Sequence, residues 1–394
     1  MPGTRADTRF TEFQQLRRFT PLDGLRGVSI ALVITAHVYD PIWTYFHGAV
    51  VLFFVLSGFL ITTLLLREQH NTGRISVTSF YIRRIFRILP LYYVSLVGYT
   101  ILILGLHLNG GESAFRRDLP LYLTYNNEFE HGSTFGHTWS LAVQEKYYLV
   151  WPVIAFAVPF LARRRLALTA ALTASTFIAA WTPWSALNYF GLYSAILVGC
   201  VTAILMHERA TFDRLAVVSK GSWSIAALTA YVLAVALIPS ATPRNQAIAL
   251  ITAVLIVATL SGNRWLAAGL SRPWLTYIGT RSYAIYLIHP VVKNFVDLGL
   301  ASGSHNVAVE LIRYGAVLGI SLFVAEVTYR LVEQPMIQLG RRISHSRRPP
   351  RTVPAERESP AVARTSLDVM VSNFTNHVLD VRRESPGTGA PAGP

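Results

Sequence analysis

Apolar windows near 20 residues recur along almost the whole chain, separated by short polar stretches that hold most of its arginines. Ten can be drawn, at 22–39, 48–66, 88–106, 139–161, 166–181, 187–206, 222–238, 245–260, 283–300 and 307–331. About 20 apolar residues is the length a helix needs to cross the hydrocarbon core of a bilayer, and the windows are too long and too many for buried helices of a soluble core. Lipid offers no water to backbone groups, so spanning segments of this length must be helices. The pattern therefore predicts an all-α integral membrane protein of about ten transmembrane helices. The polar remainder divides the chain into a basic leader at 1–19, a membrane domain at 20–340 and a tail at 341–394. The tail is rich in Arg, Pro, Ser, Glu and Gly and is expected to be disordered, with a short helix possible at 369–381. The largest outer loop, 107–137, is acidic around Glu112, Glu128 and Glu130 and is long enough to cover a site. No small-residue cleavage site follows the first window, so it is expected to stay as a membrane helix. No internal repeat is evident, which weakens a transporter built of two related halves.

Composition agrees with the pattern and removes competitors. At 52% apolar and 14% charged, with mean hydropathy +0.40, the chain is far from the roughly 25% charge of soluble domains. Its net charge of +14 would suit nucleic acid only if gathered on a polar module. Placed with the N-terminus inside, 29 of the 35 lysines and arginines fall on inner segments. Arg116, Arg117 and Arg244 fall on outer loops, and Lys146, Lys293 and Arg313 within windows. That asymmetry predicts cytoplasmic termini in a multi-pass protein of the cell membrane and accounts for the basic pI with no nucleic-acid partner. The single cysteine, Cys200, lies in an apolar run, so no disulfide and no cysteine-based metal site is possible. No metal and no resident cofactor are expected. No GxSxG elbow, P-loop, HExxH or strand-borne GxGxxG is present.

Ionisable residues inside apolar windows are functional candidates. Arg26 and His37 are eleven residues apart, 20° beyond three full turns, so they share a helix face about 16.5 Å apart along the axis. The plainer reading is that Arg26 snorkels and His37 caps the outer end beside Tyr39 and Asp40. Thr20, Pro21 and Asp23 read as the helix start. Arg83, Arg84 and Arg87 fall on one side of the third helix. Their forks suit a phosphorylated ligand, although lipid phosphates would also satisfy them. Tyr92 and Tyr93 beyond them read as interface anchors. In the polar start of the fourth window, Ser140, Gln144, Tyr148 and Trp151 form one stripe, with Glu145 and Lys146 turned to other sides. His289 is a second intramembrane histidine, with a structural hydrogen bond as its alternative role. Glu310 and Arg313 read as an ion pair.

These residues resemble the membrane-bound acyltransferase-3 family, which includes polysaccharide and O-antigen O-acetyltransferases and macrolide O-acyltransferases. The likeness runs from about Phe19 to Pro335. It rests on Leu22-Asp-Gly-Leu-Arg-Gly27 with the Arg26/His37 pair, Leu52-Phe-Phe-Val-Leu-Ser-Gly-Phe-Leu-Ile61, and Phe80-Tyr-Ile-Arg-Arg-Ile-Phe-Arg-Ile-Leu-Pro90, in which Arg84 and Arg87 match an Arg-x-x-Arg motif. Further blocks are Trp139-Ser-Leu to Trp151-Pro152, Tyr286-Leu-Ile-His-Pro290 and Tyr329-Arg-Leu-Val-Glu-Gln-Pro335. The family commonly has Glu where this chain has Gln144, which keeps a hydrogen bond and loses a charge. Some members carry a fused extracytoplasmic hydrolase-like domain, and here only the loose tail is expected.

The resemblance implies an acyl-CoA donor with its diphosphate at the inner arginines and its thioester near His37. It implies a hydroxyl acceptor on a polysaccharide, cell-envelope glycan or macrolide-type molecule. His37 would take the acceptor's proton, or form an acyl-histidine, with Arg26 orienting donor or histidine. Ser140, Gln144, Glu145, Tyr148 and His289 would support substrate. The contrasting expectation is a transporter or flippase of an anionic or lipid-linked glycan using the same arginines as a path.

Overall fold

The computed structural model describes residues 5–16, 18–38, 48–107, 111–182, 190–300 and 307–346, and among them no strand occurs. All lie within one compact unit, Met1–Arg347. The expected helix at 369–381, the expected disorder of the tail beyond 347, and Tyr39 and Asp40 lie outside the described residues. The principal helices are α1 (Arg5–Gln15), α2 (Thr20–Val38), α3 (Ala49–Thr72), α4 (Val77–Thr100), α5 (Glu112–Leu123), α6 (Trp139–Pro152), α7 (Arg165–Ala179), α8 (Ser194–His207), α9 (Gly221–Leu237), α10 (Ala241–Leu260), α11 (Pro273–Thr280), α12 (Ser282–Gly299), α13 (Val307–Thr328) and α14 (Gln334–Ser346).

Four continuous helical stretches are long and apolar enough to cross a membrane, Ala49–Thr72, Val77–Gly105, Ala241–Leu260 and Val307–Ser344, or six if two bent helix pairs each count as one span. Several of the other expected windows are broken or short among the described residues. The fourth window breaks after Pro152 into a π turn at Val153–Ala157, and Val158 then leaves the helical region. The helices at Arg165–Ala179 and Gly221–Leu237 are apolar but short. α12 carries Lys293 and Asp297 in its second half. Apolar side chains such as Val97, Ile101, Val232, Leu237, Phe323 and Leu331 face outward, the surface a lipid-facing bundle presents and a soluble one avoids.

Two packed lobes support the site. In one, Ile30, Val33 and Ile34 of α2 join Leu91, Tyr92 and Leu96 of α4 and Ala284, Ile285 and Leu287 of α12. In the other, Val55 and Phe59 of α3 join Ile196 and Cys200 of α8 and Ile248 and Ile256 of α10. The start of α2 is pressed against its neighbours so closely that only glycine fits. A Cβ on Gly24 would lie 1.7 Å from the Leu270 carbonyl oxygen, and one on Gly279 of α11 would lie 1.7 Å from that of Asp23. Asp23 itself pairs with Arg18 at 2.8 Å.

The turn from α3 to α4 is fixed by polar groups. Gly73 takes a left-handed φ of 72°, Ser76 caps α4 by accepting from the Ser79 amide at 3.3 Å, and Glu68 accepts from the Ser76 amide at 3.3 Å. Past residue 340 the chain stays helical to Ser346. Gly340 lies against Phe86 and Ser79 donates to the Ser344 carbonyl at 3.5 Å, so the packed unit runs six residues beyond the expected boundary. Tyr92 differs from the interface anchor expected of it. It is fully buried and donates to the Tyr122 carbonyl at 2.9 Å, whereas Tyr93 stays exposed.

The described part of the long acidic loop is folded. It forms α5 and two 3-10 turns, Asn127–Phe129 and Gly136–Thr138. Buried Asn127 donates to Tyr92 at 2.9 Å and to Thr138 at 2.6 Å. Buried Asp118 accepts from the His131 amide at 3.0 Å and from its ring at 2.8 Å.

Candidate active site

Helix directions sort the candidate residues into two ends of the bundle. The C-terminus of α2 lies at the same end as the N-termini of α3, α6, α8, α10 and α13, and His37 is there. Arg26 lies at the other end, with the start of α4 and the end of α13.

At the histidine end, three imidazoles meet. The rings of His37 and His289 stand edge to face with centroids 4.8 Å apart, and His137 lies 5.6 Å from His289. His37 Nδ1 bonds the Val33 carbonyl at 2.8 Å, and His289 Nδ1 bonds the Tyr286 carbonyl at 2.9 Å. A carbonyl only accepts, so in each ring Nδ1 carries the proton and Nε2 is the basic nitrogen. The Nε2 of His289 is buried without a hydrogen-bond partner. Tyr286 donates to the His137 carbonyl and exchanges a hydrogen bond with Ser140 at 2.9 Å, which ties α6 to α12 beside the imidazoles. The expected Glu310–Arg313 pair is present at 3.1 Å and belongs to a larger network. Arg313 also meets Asp297 at 2.6 Å and donates to the Val38 carbonyl at 2.8 Å, so it anchors the last turn of the helix that carries His37.

The α6 stripe forms as its spacing predicts. Ser140 faces Tyr286, and Gln144 one turn on donates to both Ser57 and Tyr148. Trp151 donates to Thr62 at 3.0 Å. Lys146 turns away to Glu128 and to the Tyr125 carbonyl. Glu145, expected off the stripe and facing protein or water, lies within electrostatic reach of Arg84 and Tyr148. Helix α6 is buried on more than one side, so its inward sector includes position 145 as well as 144.

At the arginine end, the three guanidiniums separate. Arg83 pairs with Glu68 at 3.2 Å, the carboxylate that also fixes the start of α4. Arg84 lies over the Tyr148 ring at 4.8 Å. Arg87 sits within electrostatic reach of Arg26, and both feel buried Glu333. The expectation that an external anion must bridge this cluster meets a partial answer from the protein, since acidic groups stand beside all three. Even so, Arg26, Arg84 and Arg87 crowd into one half-buried region next to Tyr148, and Tyr148 leads through Gln144 and Ser140 to Tyr286 and the imidazoles. Polar side chains at successive turns of one face of α6 thus lie between the groups at the two ends.

Sequence reasoning passed over several of these. His137 was visible only as the polar start of a window, and Glu333, Ser57 and Tyr286 only as members of motif blocks. A third histidine in a polar helix start was the available signal for the first. Among the described residues, no group of three or more metal-ligating side chains could hold a metal ion.

A family profile described as an acyltransferase domain matches residues 20–330. The chain belongs to the acyltransferase-3 family. The match covers the arginines, the polar side chains along α6 and the three imidazoles, and stops three residues short of Glu333. Similar proteins include a provisionally named O-acetyltransferase of Staphylococcus aureus, 29% identical over 364 residues, covering 84% of this chain and 59% of the relative. The peptidoglycan O-acetyltransferase OatA of Listeria monocytogenes is 28% identical over 365 residues, covering 82% of this chain and 57% of the relative. A provisionally named peptidoglycan O-acetyltransferase, YrhL of Bacillus subtilis, is 28% identical over 374 residues, covering 85% and 57%. This acyltransferase-3 chain thus spans less than three fifths of the length of these relatives. No solved structure matches it.

Proposed function

We propose that the chain is a multi-pass O-acyltransferase of the cell membrane, with cytoplasmic termini, that moves an acetyl or short acyl group from acyl-CoA to a hydroxyl of a glycan or glycosylated small molecule. The observation that carries the proposal is the set of polar groups along α6 that lie between arginines at one end of α2 and a basic imidazole nitrogen at the other. Family membership supports the reaction class, and the printed names of OatA and YrhL favour a cell-envelope glycan as acceptor. Arg84 and Arg87 hold the donor's phosphates by charge-assisted hydrogen bonds, with Arg26 and Glu333 setting their geometry. From Arg26 to His37, α2 rises about 16.5 Å, the span that the donor's arm would cross from its phosphates to its thioester.

In the reaction, His37 Nε2 accepts the proton of the acceptor hydroxyl as the oxygen attacks the thioester carbonyl carbon. The carbon–sulfur bond breaks, and the departing thiolate takes that proton back from the imidazolium. The ester forms and free CoA is released. Gln144 supplies a hydrogen bond where a carboxylate is usual, and Glu145, one step on, places a carboxyl group near Arg84.

Incubation of the purified protein with labelled acyl-CoA and a glycan acceptor tests this. Acceptor-dependent CoA release with labelled ester as product is expected. Glycan movement across vesicles without any CoA release would establish a flippase and overturn the proposal.

A further inference from the structure

Beside the first turn of α6, on the histidine end, lies a cavity of about 420 Å³ that the acyl-transfer chemistry does not use. Phe54, Trp139, Ser194, Arg244, Asn245 and Gln246 line it. Arg244 decides what the cavity is for. Only 2% of its surface is exposed. Its Nη1 donates to the Ile238 and Pro239 carbonyls, each at 3.2 Å, but its Nε is buried without a partner. No carboxylate pairs with it among the described residues, whereas Arg313, the other deeply buried arginine of this end, has two. A buried guanidinium with no counter-ion is costly, and the cost is removed when an anion arrives. The Asn245 Oδ1 is likewise buried and unsatisfied, an acceptor waiting for a hydroxyl or amide donor. Trp139, edge to face with Phe54 at 6.1 Å, offers a broad apolar wall. A cation, an amide and an aromatic wall in one concave space suit a sugar ring bearing an acidic group.

We propose that this cavity binds an acidic saccharide unit, with its carboxylate or phosphate on Arg244, its hydroxyls on Asn245, and its apolar face on Trp139. This rests on the acyl-transfer reading and deepens it. Trp139 faces the cavity while Ser140, the next residue, faces Tyr286 and the imidazoles, so the unit held here neighbours the one whose hydroxyl reacts. The acceptor class is then an anionic glycan, and the cavity sets affinity without taking part in the chemistry.

Calorimetry on the full-length protein in detergent tests it, with glucuronate, glucose 6-phosphate and glucose as probes and no acyl donor present. Either acidic probe is expected to bind at least tenfold more tightly than glucose, and comparison of the two identifies the favoured acid. Arg244→Gln should remove that preference, a loss of about ten- to a hundredfold. Asn245→Leu, which fills the cavity and leaves the Arg244 carbonyl contacts in place, should weaken all three probes and serves if Arg244→Gln fails to fold. Equal binding of acidic and neutral sugars, or acidic binding that survives both substitutions, overturns the proposal. Because no turnover is involved, Arg244-dependent binding would stand even if CoA release were never observed, which separates this proposal from the enzymatic one.

Discussion

The two ends of α2 handle charge in opposite ways. At the arginine end, cations and acids are crowded together, with Glu68, Glu145 and Glu333 beside Arg83, Arg84, Arg87 and Arg26. At the histidine end, the acids Asp297 and Glu310 are held by Arg313 and Lys293, and the centre is left to imidazoles, hydroxyls and aromatic rings. A region that must grip an anion and release it does well to keep exchangeable counter-ions nearby. A region that must take a proton from a hydroxyl does better with a neutral base in a dry, uncharged setting. On the proposed reading, donor binding belongs to one end and chemistry to the other, and four measurements can break or sharpen that contrast.

The largest effect should come from His37→Ala. Loss of a general base lowers rate by about 10²- to 10⁴-fold, so CoA release should fall at least a hundredfold while donor affinity and membrane insertion persist. Undiminished turnover would remove chemistry from the histidine end. Next, Arg84→Ala and Arg87→Ala should each raise the KM for acyl-CoA about tenfold, as expected for a lost charge-assisted contact, with kcat little changed. An unaltered donor KM would remove binding from the arginine end. Arg83→Ala is a finer test of the same idea. Its partner is Glu68, so donor KM should move by less than about twofold, within the range of half-exposed ion pairs, and a loss equal to that of Arg84→Ala would mean that all three guanidiniums act together.

The smallest effect concerns the folded cap over the histidine end. Burial pushes the Asp118 carboxyl up, but hydrogen bonds from the His131 amide and ring and from Arg117 outweigh it and hold the group below its ordinary value. A depressed folded value means that this stabilisation is present above the unfolded carboxyl's titration, about pH 4, and is lost as pH falls through the folded value. Protease cleavage within 111–131 should therefore increase on acidification below about pH 4 in the wild type. Asp118→Asn should be cleaved more readily at neutral pH and show little further change, and identical pH profiles for the two would refute the assignment.

Much of this was legible in the sequence because it depends on helical periodicity. The Arg26/His37 face and the Ser140–Gln144–Tyr148 stripe follow from 100° per residue, and the Arg313–Glu310 pair from a spacing of three. What escaped depends on bends and on contacts between distant segments. Hydropathy windows cannot see that the helix after Pro152 passes through a π turn, or where the lysine and the aspartate in the second half of α12 find their partners. His137, His289 and His37 are brought together by three separate helical segments, and a polar helix start is the only local mark of the first of them.

Helix α2 is clamped at both extremities, by the glycine contacts of Gly24 and Gly279 at its beginning and by the guanidinium of Arg313 on the Val38 carbonyl at its close. It behaves as a strut of fixed length, and a strut between an anchoring point and a reacting point is a gauge. Under the proposed reading, a donor fastened at the arginines would be measured by the reach of its arm. Shortening or lengthening that arm by a few atoms should misplace the thioester, while changes to the acyl tail beyond the carbonyl fall outside what the gauge can read.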